Sequence, residues 1–160
     1  MPHRTRTIDR RTTFASPPAT VFAVVNSPET GPLIDPAVRE WKADSRPISV
    51  GTRFKIRGRQ GAVPIRATSE VVTWEPPTLA EYRSVSLTWP FRMTARHQFD
   101  ANTEDGTDYT WTISFDEVNV IARPLIAIAA RLFKQALSAQ AEALTKYLRE
   151  LPDGEPLPLL

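Results

Sequence analysis

Few residues of this chain could move a proton near neutral pH, and His97 is the foremost of them. It is one of two histidines; the other, His3, falls in a polar stretch rich in Arg and Thr. Around His97 the residues alternate: Met93, Ala95, His97 and Phe99 in one register, Arg92, Thr94, Arg96 and Gln98 in the other. Period-two alternation marks a strand with one buried face, and the more apolar set should turn inward. Further on, Tyr109, Trp111, Ile113 and Phe115 alternate with Thr110, Thr112 and Ser114, giving a matching aromatic face. An imidazole among those rings is held neutral and able to hydrogen-bond. It is then either a satisfied core histidine or a general acid or base that needs a substrate within reach. No Asp or Glu is placed by spacing to orient it. Tyr82 and Tyr109 each offer a hydroxyl on an apolar body, a useful combination in a pocket.

Other chemistries are poorly served. The chain has no cysteine, which excludes disulfides and thiol catalysis. No pair of histidines stands at metal-ligand spacing, and neither a Gly-rich phosphate loop nor a Gly-x-Ser-x-Gly elbow is present. No metal or cofactor is therefore expected. Arg53, Lys55, Arg57 and Arg59 alternate with Phe54 and Ile56, the pattern of a solvated outer strand face. Nucleic-acid binding would call for exposed aromatics among them and for more than a net charge of +2, so no nucleic-acid partner is expected. Arg66, Glu70, Glu81 and Arg83 suit cross-strand pairs on an outer face. Their facing stays open, because a bulge could reset the alternation; an inward Arg66 would bind an acidic head group.

The element that must position these groups is a long helix. From Pro124 to Leu151 apolar residues recur at helical spacing: Leu125, Ala129, Phe133, Ala136, Leu137, Leu144 and Tyr147 among them. Pro124 suits the first turn, and Pro152, Asp153 and Gly154 stop the helix. At 1.5 Å per residue it runs about 40 Å. No other stretch is a comparable helix, so its partner must be a sheet. Gln140 interrupts the apolar face. A buried amide needs partners: it either bonds a neighbour or faces a wet or ligand-filled space. Ala129 and Ala136 on the same face would leave room beneath the helix.

The rest of the chain supplies that sheet. Thr5 to Ala15 reads as a strand, and Ser16 as the N-cap of a short helix opened by Pro17 and Pro18. Asn26 to Asp44 is broken by Pro and Gly, with a short helical segment expected around Ala37 to Trp41. Strand patterns follow at Arg53–Arg57, Ala62–Trp74, Leu79–Thr88, Phe91–Phe99 and Thr107–Val118. Their short connections imply antiparallel neighbours. The layout is α+β: a strand, two short helices, about five meandering strands, then one long helix gripped by a curved sheet. The chain has 160 residues, enough for one domain with a sizeable core; that domain is expected over 1–151, with 152–160 a loose Pro-rich tail. No apolar run reaches about 18 residues and no apolar signal core is visible. A cytoplasmic protein with no integral membrane segment is the expectation.

This order resembles the START/Bet v 1-like (SRPBCC) superfamily, and within it the polyketide cyclase/dehydrase-like group. The resemblance is carried by Ser16-Pro17-Pro18-Ala19-Thr20-Val21-Phe22 after the first strand and Val50-Gly51-Thr52-Arg53-Phe54 opening the second. Trp74-Glu75-Pro76-Pro77, Gly106-Thr107 and the Ala-rich helix ending in Tyr147-Leu148 complete it. One departure is that Leu33-Ile34-Asp35-Pro36 stands where the group carries a Trp after its first helix. The resemblance implies a helix-grip fold with a cavity for apolar or amphipathic molecules between sheet and helix.

Three functions are then open. The first is binding of a small hydrophobic or amphipathic molecule (lipid, polyketide, quinone or similar). Its expected contacts are Tyr82, Met93, His97, Tyr109, Trp111, Leu125, Ala129, Phe133, Ala136 and Gln140. The second is a cyclase, aromatase or dehydratase using the same cavity, with His97 as its acid or base. The third is a co-chaperone-like interaction role using the basic stripe and the tail. Binding ranks first. Monomer and homodimer are both compatible with the sequence.

Overall fold

Alternating apolar and polar residues give seven strands, and all seven pair antiparallel in one sheet of order β1-β7-β6-β5-β4-β3-β2. The computed structural model describes residues 6–86, 91–116, 123–152, 155–158 and 160. His3, Trp89, the expected strand ends at Thr88 and Val118, and the helix stop at Asp153 and Gly154 lie outside the described residues. Chain order is β1 (Arg6–Phe14), α1 (Pro18–Asn26), α2 (Gly31–Ile34), β2 (Val38–Ala43), β3 (Arg53–Gln60) and β4 (Val63–Glu75). Then come β5 (Leu79–Ser86), β6 (Arg92–Ala101), β7 (Thr107–Asp116) and α3 (Arg123–Glu150). Strands β2 to β7 form a simple meander, and β1 closes onto β7. The fold is the helix-grip arrangement, with α3 lying against the sheet.

Two local expectations change. Ala37–Trp41 is not helical: Val38–Ala43 pairs with β3, Trp41 opposite Ile56 and Ala43 opposite Phe54. The segment's Ala, Arg, Glu and Lys favour helix intrinsically, but ladder hydrogen bonds and burial of Trp41 outweigh that weak preference. The second short helix is instead α2, a single turn at Gly31–Ile34. Nor does Ser16 cap α1. The N-cap position is Pro17, without a side-chain cap, and the carbonyl of Ser16 accepts a hydrogen bond from the Thr107 hydroxyl at 2.7 Å.

A bulge between Val71 and Thr73 accounts for the ambiguous parity of β4. Before it Ala67, Ser69 and Val71 face the core; after it Trp74 does. Opposite them Ala80, Tyr82 and Ser84 face inward, which sends Glu81 and Arg83 out. Glu70 pairs with Arg53 at 3.0 Å, and Glu81 with Arg96 at 2.8 Å, on the outer face. Arg66 is exposed there too, so it brings no charge to the interior.

Burial divides into two clusters. The first gathers Phe14, Val21, Phe22, Phe54, Val71, Tyr82, Phe99 and Leu144; Leu160, in the stretch expected to be a loose tail, packs against it. The second gathers Phe91, Ile113, Phe115, Ile126, Ala129, Ala130 and Leu137. Each large side chain buried in them contributes roughly 1.5–3 kcal/mol of transfer free energy. Helix α3 joins the two, with Leu137 in one and Leu144 in the other. Among the described residues no helix is long and apolar enough to cross a membrane.

Candidate functional site

Between the two clusters the sheet and α3 do not close on each other, leaving a cavity of about 180 Å³. On the helix side its wall is Phe133, Ala136 and Gln140, three residues at i, i+3 and i+7 and hence on one stripe. On the sheet side it takes Tyr82, Met93, Ala95, His97, Trp111 and Ile113. The small Ala136 is the residue that leaves the space. Of the expected contact set, seven residues line this cavity: Tyr82, Met93, His97, Trp111, Phe133, Ala136 and Gln140. Tyr109, Leu125 and Ala129 do not. Tyr109 stands behind His97, and Ala129 is packed solid in the second cluster.

The sequence reading missed the third side, which α2 and β2 supply: Gly31, Ile34, Asp35, Ala37, Val38 and Trp41. Trp41 reaches it because Gly31 lacks a side chain; a Cβ there would lie 2.3 Å from the indole ring. Trp41 thus occupies a wall position although the expected Trp after α1 is missing. The signal was available in the alternation of Trp41 and Ala43 against Lys42, once the segment is read as a strand. At the end of β3, Gln60 also lines the cavity and donates from Nε2 to the carbonyl of Leu132, tying hairpin to helix at 2.5 Å.

Two hydrogen-bonded pairs of neutral polar groups, Asn26 with Tyr82 and His97 with Tyr109, are set in the aromatic wall. Asn26, wholly buried, donates to the carbonyl of Phe22 at 2.8 Å and accepts the Tyr82 hydroxyl at 2.5 Å. His97 Nδ1 lies 2.7 Å from the Tyr109 hydroxyl, and its ring stacks on Trp111 at 5.3 Å between centroids. Burial pushes the His97 imidazole down to about 3 and both tyrosine hydroxyls well up. All three are therefore uncharged at neutral pH. Asp35 lines the same space, and burial raises its carboxyl. Among the described residues no cluster of His, Asp or Glu is arranged to hold a metal ion.

Among the described residues three buried side-chain polar atoms lack a hydrogen-bond partner: Trp41 Nε1, Trp111 Nε1 and Gln140 Oε1. All three residues line the cavity. Buried polar atoms are paired in the great majority of cases, and each one left over costs about 1–3 kcal/mol. An apolar space lined by all three of these residues is the functional candidate.

A curved antiparallel sheet gripping one long helix over an internal cavity defines a Bet v 1-like, SRPBCC-type protein. The chain belongs to the family described as polyketide cyclase / dehydrase and lipid transport, whose model matches residues 5–149. No curated protein sequence matches it. Among solved structures it is similar to Ara h 8.0201, at 17% identity and a TM-score of 0.74, covering 92% of this chain and 100% of that one. It is also similar to the Zhui aromatase/cyclase from Streptomyces sp. R1128, at 14% identity and a TM-score of 0.69 over 92% and 98% of the two chains. Norcoclaurine synthase from Thalictrum flavum gives 14% identity and a TM-score of 0.70 over 93% and 89%. At such identities the likeness establishes the fold.

Proposed function

We propose that the protein binds a small, largely apolar molecule bearing a few polar groups in the cavity between the sheet and α3. The observation that carries this reading is that Trp41, Trp111 and Gln140, whose side chains each hold an unpaired polar atom, all line one apolar space. A ligand offering an acceptor to the indoles and a donor to the amide would satisfy them. The volume favours a compact ring system, since a dry cavity of about 150 Å³ accepts benzene. Lipid, polyketide and quinone fragments remain within this class, in keeping with the family description.

Native mass spectrometry of gently purified protein, compared with the denatured mass, tests it. An adduct lost on denaturation, and lost in an Ala136→Phe variant that fills the space, is the expected result. A bare native mass, together with no binding across a panel of quinones and polycyclic aromatics, would refute it. The same spectrum reads the oligomeric state.

A second reading, a cyclase or dehydratase, is favoured by His97. Its Nδ1 is held by Tyr109, the kind of contact that fixes an imidazole's tautomer and orientation. A neutral His97 would then serve through Nε2, and a His97→Gln variant with unaltered turnover would remove it from the chemistry.

A further inference from the structure

Asp35 is the ionisable group that cavity binding leaves without a task. It sits at the C-cap of α2, where Oδ1 accepts the Ala37 N–H at 2.9 Å. An asparagine would make that bond equally well, so the turn does not call for a carboxyl. What distinguishes an acid is charge, and Asp35 brings it to the cavity wall.

The rest of the wall sets the sign of that charge in context. Among the described residues no Lys or Arg lines the cavity; the titratable side chains that do are Asp35, the Tyr82 hydroxyl from β5 and the His97 imidazole from β6. Tyr109 on β7, behind His97, is the further group that feels Asp35. From α1, α3 and β2, the elements packed on α2, the wall receives Val25, Phe133, Ala136, Gln140, Val38 and Trp41, none of them charged. A carboxylate or phosphate ligand would therefore lie beside an acid with no cation to offset it, a costly arrangement out of water. A cation meets the opposite situation. It finds one acidic partner in Asp35, and a lining that includes the Gln140 amide and the indoles of Trp41 and Trp111, a ring type to which cations are drawn.

We propose that the cavity is selective for an aromatic amine in its protonated form, with Asp35 as the anchor of the ammonium group. This rests on the cavity-binding reading above. The ring fills the space beside Ala136, and an oxygen substituent on it would accept from the unpaired indole N–H groups. Loading the cavity pairs Asp35, so the bound complex holds it ionised.

Three probes with one phenyl ring, a short chain and different end charges decide the matter: phenethylamine, phenethyl alcohol and hydrocinnamate, titrated calorimetrically at neutral pH. The amine is expected to bind at least about tenfold more tightly than the alcohol, and hydrocinnamate most weakly. Asp35→Asn should cost the amine about tenfold while leaving the alcohol within about twofold. An alcohol that binds as well as the amine, a carboxylate that binds best, or an Asp35→Asn variant that keeps its amine affinity would overturn the assignment while sparing the cavity. Failure of all three probes would overturn the amine assignment, and the native-mass comparison with its quinone and polycyclic panel then decides the cavity reading separately. Should Asp35→Asn not fold, judged by circular dichroism, the order of the three probes on the unaltered protein still decides.

Discussion

Acidification from pH 7 to pH 5 should destabilise the folded chain by about 2 kcal/mol through His97 alone. The folded state holds this imidazole neutral, with its value pushed by burial from 6.5 down to about 3. The unfolded chain takes up a proton as the pH falls through about 6.5. Over that window the unfolded state binds more protons, so stability falls with falling pH, and the loss continues until the folded form also protonates near 3. Integrating the difference from pH 7 to pH 5 gives the figure of about 2 kcal/mol. Glu29, which Arg46 holds at about 2, and Glu81, lowered by Thr73 and Arg96, release their contributions only below the ordinary carboxylate range. Asp35, raised by burial, works in the opposite direction and gains as the pH drops. Urea unfolding at the two pH values, on the unaltered protein and on His97→Gln, reads the effect. The variant should lose most of the slope. A loss under about 0.5 kcal/mol in the unaltered protein, or a variant with the full slope, would show that His97 is not buried neutral.

Two further substitutions probe the polar and steric framing of the site. Tyr82→Phe leaves Asn26 Oδ1 buried without its donor and should cost about 1–3 kcal/mol in urea unfolding. A double variant that also replaces Asn26 by Leu should recover part of that loss. Gly31→Val drives side-chain atoms into the Trp41 ring; a cost of about 1–3 kcal/mol, with a changed near-ultraviolet dichroism of the tryptophans, is expected, and an unchanged spectrum would contradict the packing described.

The strands carrying His97 and Trp111 were legible because each alternates without interruption, so parity alone assigned their inward faces. Tyr82 was legible as a type but not as a direction. The bulge at Val71/Thr73 shifts the register by one residue, and a shift that small leaves no mark in composition. The α2–β2 side of the cavity was hidden for a different reason. Val38–Ala43 is stabilised by pairing with β3, from Ala43 opposite Phe54 to Val38 opposite Gly58, and local propensity cannot register such a partner. Gln140 stood out because an amide on an apolar helical face conflicts with its surroundings, and that conflict survives in the structure as an unpaired oxygen.

The two hydrophobic clusters divide labour along α3. The second core holds α3 from Ile126 to Leu137, with Phe133 packed against it, and the first holds the helix at Leu144, while Ala136 and Gln140 turn to the cavity like a beam resting on two piers. Strength resides in the piers and selectivity in the span. Under the binding proposed above, exchanging Ala136 and Gln140 would redraw the molecule admitted below while leaving the two cores in place.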